Sequence, residues 1–294
     1  MPLNVERRSK ALLKGAVDTH IHTAPDIYPR SVTVIEAAKN AKSAGMRAIL
    51  AKSHCTDTSD RAELASRLTE FPVYGGVTLN YPVGGLNIHA VRESIRQGGK
   101  QIWMPSTSAR SFMEEAESVP VLAKTLPLGV KGVTILQENG RLLPEIEPIL
   151  ALIAESDIAL ASSHVSPAEA MVLVKAAREA GVKRITITHP HASFLAYAKD
   201  QMIELGRLGA KLEFHFAFTT QAVRDPLRVT DLAKVIRVIG PEHCILATDG
   251  GQAINPPPHE MLRLFIAGML EEGFSDDEIQ IMTIGNPSWI LGLN

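Results

Sequence analysis

Short apolar, β-branched runs alternate along this chain with longer stretches of helical periodicity. Apolar side chains cluster or alternate over 16–21, 46–52, 73–79, 100–104, 158–163, 184–188, 211–217 and 244–248, which predicts strands. The stretches 32–44, 59–70, 87–97, 144–155, 167–180, 194–209, 229–239 and 258–271 repeat their apolar residues on one face, which predicts helices. Gly45, Gly98, Gly181 and Gly209 stand where helices give way to strands, as left-handed helix ends require. Ser59 and the pair Ser166-Pro167 read as helix starts. Eight strands, each followed by a helix, predict an α/β fold of the closed (β/α)8 or TIM-barrel type. An open doubly wound sheet would place a Gly-rich phosphate loop after the first strand, where this chain reads DTHIHTAPD.

Two segments break the rhythm. Residues 105–143 are too long for one connection and contain a hairpin signal at Glu138-Asn139-Gly140, so they read as an insertion after strand 4, a candidate lid. Residues 1–15 form a leader whose Val5, Leu12 and Leu13 suit the barrel floor or a partner subunit. With no repeat or linker, residues 1–294 read as one domain. The stripe Met261, Leu264, Phe265 and Met269 reads as core or interface, and PPPHE before it as a rigid rim.

Composition narrows the function. The 294 residues are 45% hydrophobic with a formal net charge of -2, which gives no electrostatic case for nucleic acid or an anionic membrane. Two cysteines, Cys55 and Cys244, imply no disulfide framework. The absence of a secretory apolar stretch or a spanning run makes the expected location cytoplasmic.

The chemistry gathers at strand ends. His20 and His22 are two apart on a strand, so both point the same way, toward the barrel mouth. His164 ends the fifth strand, His189 the sixth and Asp249 the eighth, all at that mouth. Imidazoles with a carboxylate suit zinc, with manganese or iron as alternatives. The segments VDTHIHTAPD, SSHVSP, ITHPH, ATDGGQ and the tail GNPSWILGL resemble the amidohydrolase superfamily, over nearly the whole chain. The resemblance is to a compact, uncharacterised branch without a β-sandwich domain. It implies a metal-dependent hydrolase that activates a metal-bound water against an amide, lactone, ester or related bond of a small molecule. It further implies Asp249 as proton acceptor and His189 or His164 as the imidazole that polarises the carbonyl. Many binuclear members carry a bridging carboxylated Lys or Glu at strand 4, where this chain reads IWMPSTSA, so one ion is favoured.

His54, Lys52, Lys131 and His215 are candidate extra contacts to metal or substrate. Arg30, Arg110 and Trp103 are candidate substrate-binding residues, with Tyr81 and Phe218 as further apolar surface. Plainer readings stand beside these: a packed core position for His215, solvated loops for His191 and His259, and structural roles for His89 and His243. Asp18 reads as lying on the HxH face and orienting an imidazole. Asp26 and Asn139 read as turn residues, and Cys55 as facing away from the mouth. The rival functions are a metal-dependent decarboxylase or lyase, a phosphoesterase, and a non-catalytic metal-binding barrel. A homo-oligomer is compatible with such a barrel.

Overall fold

A computed structural model describes residues 3–117 and 130–293. Among them, parallel strands occupy eight positions around one axis. β1 is Val17–His22 and β2 is Ala48–Lys52; β3 comes in two pieces, Val73–Tyr74 and Gly76–Thr78. β4 is Gln101–Trp103, β5 Ala159–Ala161, β6 Arg184–Thr188, β7 Lys211–His215 and β8 Cys244–Ala247. One ladder joins β1, β2 and the first piece of β3, and a second runs from the other piece of β3 to β8. The chain itself crosses between the ladders at Gly75, where a Cβ would fall 2.4 Å from the Thr58 carbonyl oxygen. At the other seam Ile21 bridges Gly250, and the His22 amide donates to the Gly250 carbonyl at 2.7 Å. The fold is the expected (β/α)8 barrel.

Alternation along the strands sorts the core into two layers. Ile49, Ala51, Ile102, Leu160, Ile185 and Leu212 face the helices, while Ala48, Leu50, Ala159, Ala161, Ile245 and Ala247 fill the barrel. Small residues dominate the inner layer and leave room for Trp103, which is fully buried there. The floor is closed by Ile290 and Leu291, at the end of the C-terminal helix Asn286–Ile290. Asn286 anchors this tail by donating to the Cys244 carbonyl at the start of β8, at 2.7 Å. The leader does not take that place. Its helix, Leu3–Leu12, packs along Pro258–Glu271, where Arg263 donates to Ser9 Oγ at 3.2 Å.

Ser166 caps Pro167–Glu179 through a full capping box with Glu169. Ser59 does not cap its helix; the Asp57 carboxylate accepts from the Ser59 amide at 2.6 Å instead. Of the expected insertion, residues 118–129 lie outside the described residues. Its hairpin is present: Leu136 bridges Leu142, and the Gln137 amide donates to the Arg141 carbonyl at 2.8 Å. No helix among the described residues is long and apolar enough to cross a membrane.

Candidate metal centre

The end of β1 is not a regular strand. Asp18 pairs with Ile49 and Ile21 with Ala51, so Thr19 and His20 together oppose Leu50. His20 stays in phase with His22, while the extra residue puts Asp18 out of phase with them. The Nε2 atoms of His20 and His22 lie 3.3 and 3.1 Å from Asp249 Oδ1. His189 Nε2 stands 3.9 Å from Asp249 Oδ2. Both His189 and Asp249 adopt left-handed backbone, at φ 55° and 47°, as does Ser163 at φ 52° just before His164. Such conformations cost about 1–3 kcal/mol each, and here they gather at one mouth.

Two features hold the β8–β1 seam that aims His22. Gly251 has φ 117°, and a Cβ there would sit 1.9 Å from the His22 carbonyl oxygen. Gly251→Ala is therefore expected to destabilise the fold by about 3 kcal/mol, read as a lower urea midpoint. Asp18 is the second. Its carboxylate accepts from Thr248 N at 3.1 Å, Thr248 Oγ1 at 2.6 Å and His20 N at 3.2 Å. It stitches the seam rather than orienting an imidazole ring. Burial, opposed by these hydrogen bonds, pushes its pKa from 3.8 to about 7. The native state thus holds this proton more tightly than the unfolded chain, and stability falls as pH climbs between those two values. Asp18→Asn is expected to flatten that slope, whereas Asp18→Ala strands three buried donors and costs about 3 kcal/mol; urea unfolding at acid and neutral pH reads both.

A second polar cluster lies behind the first. Glu213, fully buried in β7, accepts from Thr19 Oγ1 at 2.5 Å. Its other oxygen lies 3.3 Å from His20 Nδ1 and 3.2 Å from His215 Nε2. His215 Nε2 is also 3.0 Å from His20 Nδ1, and His215 Nδ1 is 2.9 Å from His189 Nδ1. Sequence reasoning passed over Glu213. Its signal was a lone acid inside the apolar strand LEFHF, two residues from His215 and thus in phase with it.

The remaining candidates divide. His54 stacks on His22 with ring centroids 4.6 Å apart, and its Nδ1 meets Ser106 Oγ at 2.9 Å. Lys52 is buried, its Nζ without a hydrogen-bond partner and 5.7 Å from the Trp103 ring. Burial lowers its pKa to about 8, although Asp249 and Glu213 pull the other way. The Arg30 side chain is held by Asp26 at 2.8 Å, and its charge helps keep His22 neutral. His164 stands beside His189, ring centroids 5.1 Å apart, between Phe112 and Phe194, with Nδ1 buried and unpartnered. His191 is not solvated: both ring nitrogens are buried without partners, against Phe214 and Phe218.

Trp103 is fully buried inside the barrel, its ring centroid 6.4 Å from that of His20, and offers no surface at the mouth. Arg110 is exposed, and so is Lys131, whose carbonyl accepts from the Tyr81 hydroxyl. The Cys55 thiol is pushed up by burial and then by Asp26, which disfavours a thiolate nucleophile.

Burial, as the first cause, holds the pKa values of His20, His22, His54, His164 and His189 well below the ordinary range. Each is a neutral imidazole at pH 7 with a lone pair to offer. Donor atoms of His20, His22 and Asp249 lie within 4.8 Å of one another, as do those of His20, Glu213 and His215 and those of His189, His191 and His215. His20 Nε2 is buried and makes no hydrogen bond. An orphaned imidazole nitrogen facing a carboxylate fits a divalent cation of the zinc type.

The profile described as "Family of unknown function (DUF6282)" matches residues 15–213. No curated protein matches the chain. Among solved structures, the probable dipeptidase PvdM from Pseudomonas aeruginosa aligns at TM-score 0.62 and 10% identity, covering 99% of both chains. The organophosphorus hydrolase from Deinococcus radiodurans aligns at TM-score 0.58 and 14% identity, over 97% of this chain and 94% of its own. The TatD homologue YJJV from Escherichia coli K12 aligns at TM-score 0.55 and 18% identity, over 96% and 100%. These neighbours are amidohydrolase-superfamily barrels, and the likeness at such identities is one of fold.

Proposed function

The chain belongs to the family of unknown function DUF6282, and from its barrel and the donors at its mouth we propose a metal-dependent hydrolase of small molecules. The observation behind this reading is the convergence of His20 Nε2 and His22 Nε2 on one oxygen of Asp249. His20, His22, His189 and Asp249 are the residues that would hold the ion, zinc by the chemistry of the set. A divalent ion bound there supplies Lewis acidity toward a carbonyl and toward water.

The chain's own residues do the rest. Asp249 is the most exposed group of the set, its side chain 14% accessible, so it can meet both a water and a substrate. Burial raises its pKa, against the pull of His215, Lys52, His164 and Arg30, which makes it a better proton acceptor than a solvated carboxylate. It takes the proton of the attacking water and returns it to the leaving nitrogen or oxygen. His164 keeps a buried, unpartnered Nδ1 and is the imidazole left free to donate to the carbonyl oxygen. The charges of Lys52 and Arg30 favour a substrate bearing a carboxylate or phosphate. Both walls of His164 are aromatic, Phe112 and Phe194, and exclude water from that side.

The test is a panel of lactones, amides, esters and phosphoesters, assayed before and after chelation in isotopically labelled water. Chelator-sensitive turnover with label in the product is the expected result. Release of carbon dioxide without label would assign the lyase chemistry instead, and turnover indifferent to chelation would remove the metal from the reaction.

A further inference from the structure

We propose that the barrel interior, beneath the mouth, holds a bound-water site lined by Gln101, Trp103, Thr186, Thr188 and Lys52. It stands on packing and hydrogen-bond bookkeeping alone, and does not depend on an ion at the mouth.

Alternation places the lining. Ile102, Ile185 and Ile187 face the helices, so their neighbours Gln101, Trp103, Thr186 and Thr188 turn into the barrel. Leu50 faces inward, and Lys52, two residues on, follows it. All five residues are buried, none more than 1% exposed. Register then sets their heights. Gln101 reaches Arg184 of β6 through Ala159, and Trp103 reaches Thr186 through Ala161. A barrel of this type climbs about one residue per strand, so level partners lie two positions further along β6. Gln101 is therefore level with Thr186, and Trp103 with Thr188, one layer nearer the mouth. Lys52 stands beside this upper layer, its Nζ 5.7 Å from the Trp103 ring centroid.

Six polar atoms of these two layers find no hydrogen-bond partner among the described residues. They are both amide atoms of Gln101, Trp103 Nε1, Thr186 Oγ1, Thr188 Oγ1 and Lys52 Nζ. Native interiors leave few such atoms unpaired, and those beyond reach of other protein groups take ordered water. The inner wall leaves room for it. Positions that branched side chains usually fill are Ala48, Ala159, Ala161 and Ala247 here. The mix of atoms selects the occupant. Trp103 Nε1 only donates and turns away a cation, whereas Gln101 Oε1 only accepts and turns away an anion. Water does both. At roughly three hydrogen bonds each, about two molecules cover the six atoms. The upper end adjoins the candidate metal centre, since Thr188 directly precedes His189 and Lys52 pairs with His22 across β1 and β2.

Two measurements on the full-length, chelator-treated chain test the proposal. A crystal structure at a resolution that shows waters is expected to place density about 2.7–3.2 Å from the Gln101 amide, Trp103 Nε1 and Thr186 Oγ1. An interior without density, or a Gln101 amide bonded directly to Thr186, overturns it. So does an anomalous peak there in crystals soaked in bromide, which would make the occupant an anion. Thr186→Val gives the second reading, because it nearly keeps the shape and removes the hydroxyl. With water bound, the variant strips that water of a partner, and a lower urea midpoint is expected. A dry barrel instead sheds an unpaired hydroxyl, which raises the midpoint. A midpoint unchanged or raised overturns the proposal, and the native crystal decides alone should the variant not fold.

Discussion

Asp249→Asn is expected to lower kcat by about 10²–10⁴-fold, the contribution of a positioned proton acceptor, while the chain still takes up metal. The side chain keeps its shape and an oxygen near His20 and His22, and the imidazoles that hold the ion are untouched. What is lost is the ability to accept a proton from the attacking water. Because burial has raised the pKa of Asp249, the native carboxylate is a stronger base than a solvated one, and the loss on amidation is correspondingly large. Turnover and metal content measured on one preparation separate the two roles. Near-normal turnover would strip Asp249 of the proton transfer.

His22→Ala is expected to weaken zinc binding by on the order of 10²-fold or more. An apparent zinc free energy of ~10–16 kcal/mol spread over four ligands puts roughly 3 kcal/mol on each. His22 is the sharper choice over His20, because His20 also meets Glu213 and His215 and its loss would disturb both clusters. His22 makes its close approach to Asp249 and stacks on His54, so its removal leaves the Glu213 cluster intact. Competitive titration reads the affinity, and urea unfolding in chelator confirms that the fold persists. Zinc affinity equal to that of the native chain would place the ion elsewhere.

Much of the barrel was legible because its physics is local. Helices ending at Gly45, Gly98, Gly181 and Gly209 do so with φ between 75° and 89°, a conformation glycine adopts without strain. Alternation placed His20 and His22 on the inside, and strand order brought Asp249 and His189 beside them. The rest depended on partners that no single segment specifies. The bulge at Thr19 and His20 arises from the pairing of β1 with β2, and it moves Asp18 off the face that strict alternation assigns it. Trp103 sits inside because Ala159 and Ala161 on the adjacent strand β5, with Ala48 on β2, make room for it. Neither is visible in IWMPSTSA alone.

The candidate site was partly legible for the same reason. His164 ends its strand as expected, and its ring stands beside His189 with Phe112 and Phe194 on its flanks. Lys131 matched a chemical need but not a place: its backbone is tied to Tyr81 and its side chain is exposed. Glu213 matched a place whose need is visible only once His20 and His215 are seen to share its oxygen.

Diffraction at the zinc absorption edge, on crystals grown with one equivalent of zinc, asks the central question directly. One anomalous peak is expected, about 2.0–2.2 Å from Nε2 of His20, Nε2 of His22, Nε2 of His189 and a carboxylate oxygen of Asp249. No peak at the barrel mouth, or a peak ligated by Glu213 and His215 with Asp249 left free, would contradict the assignment.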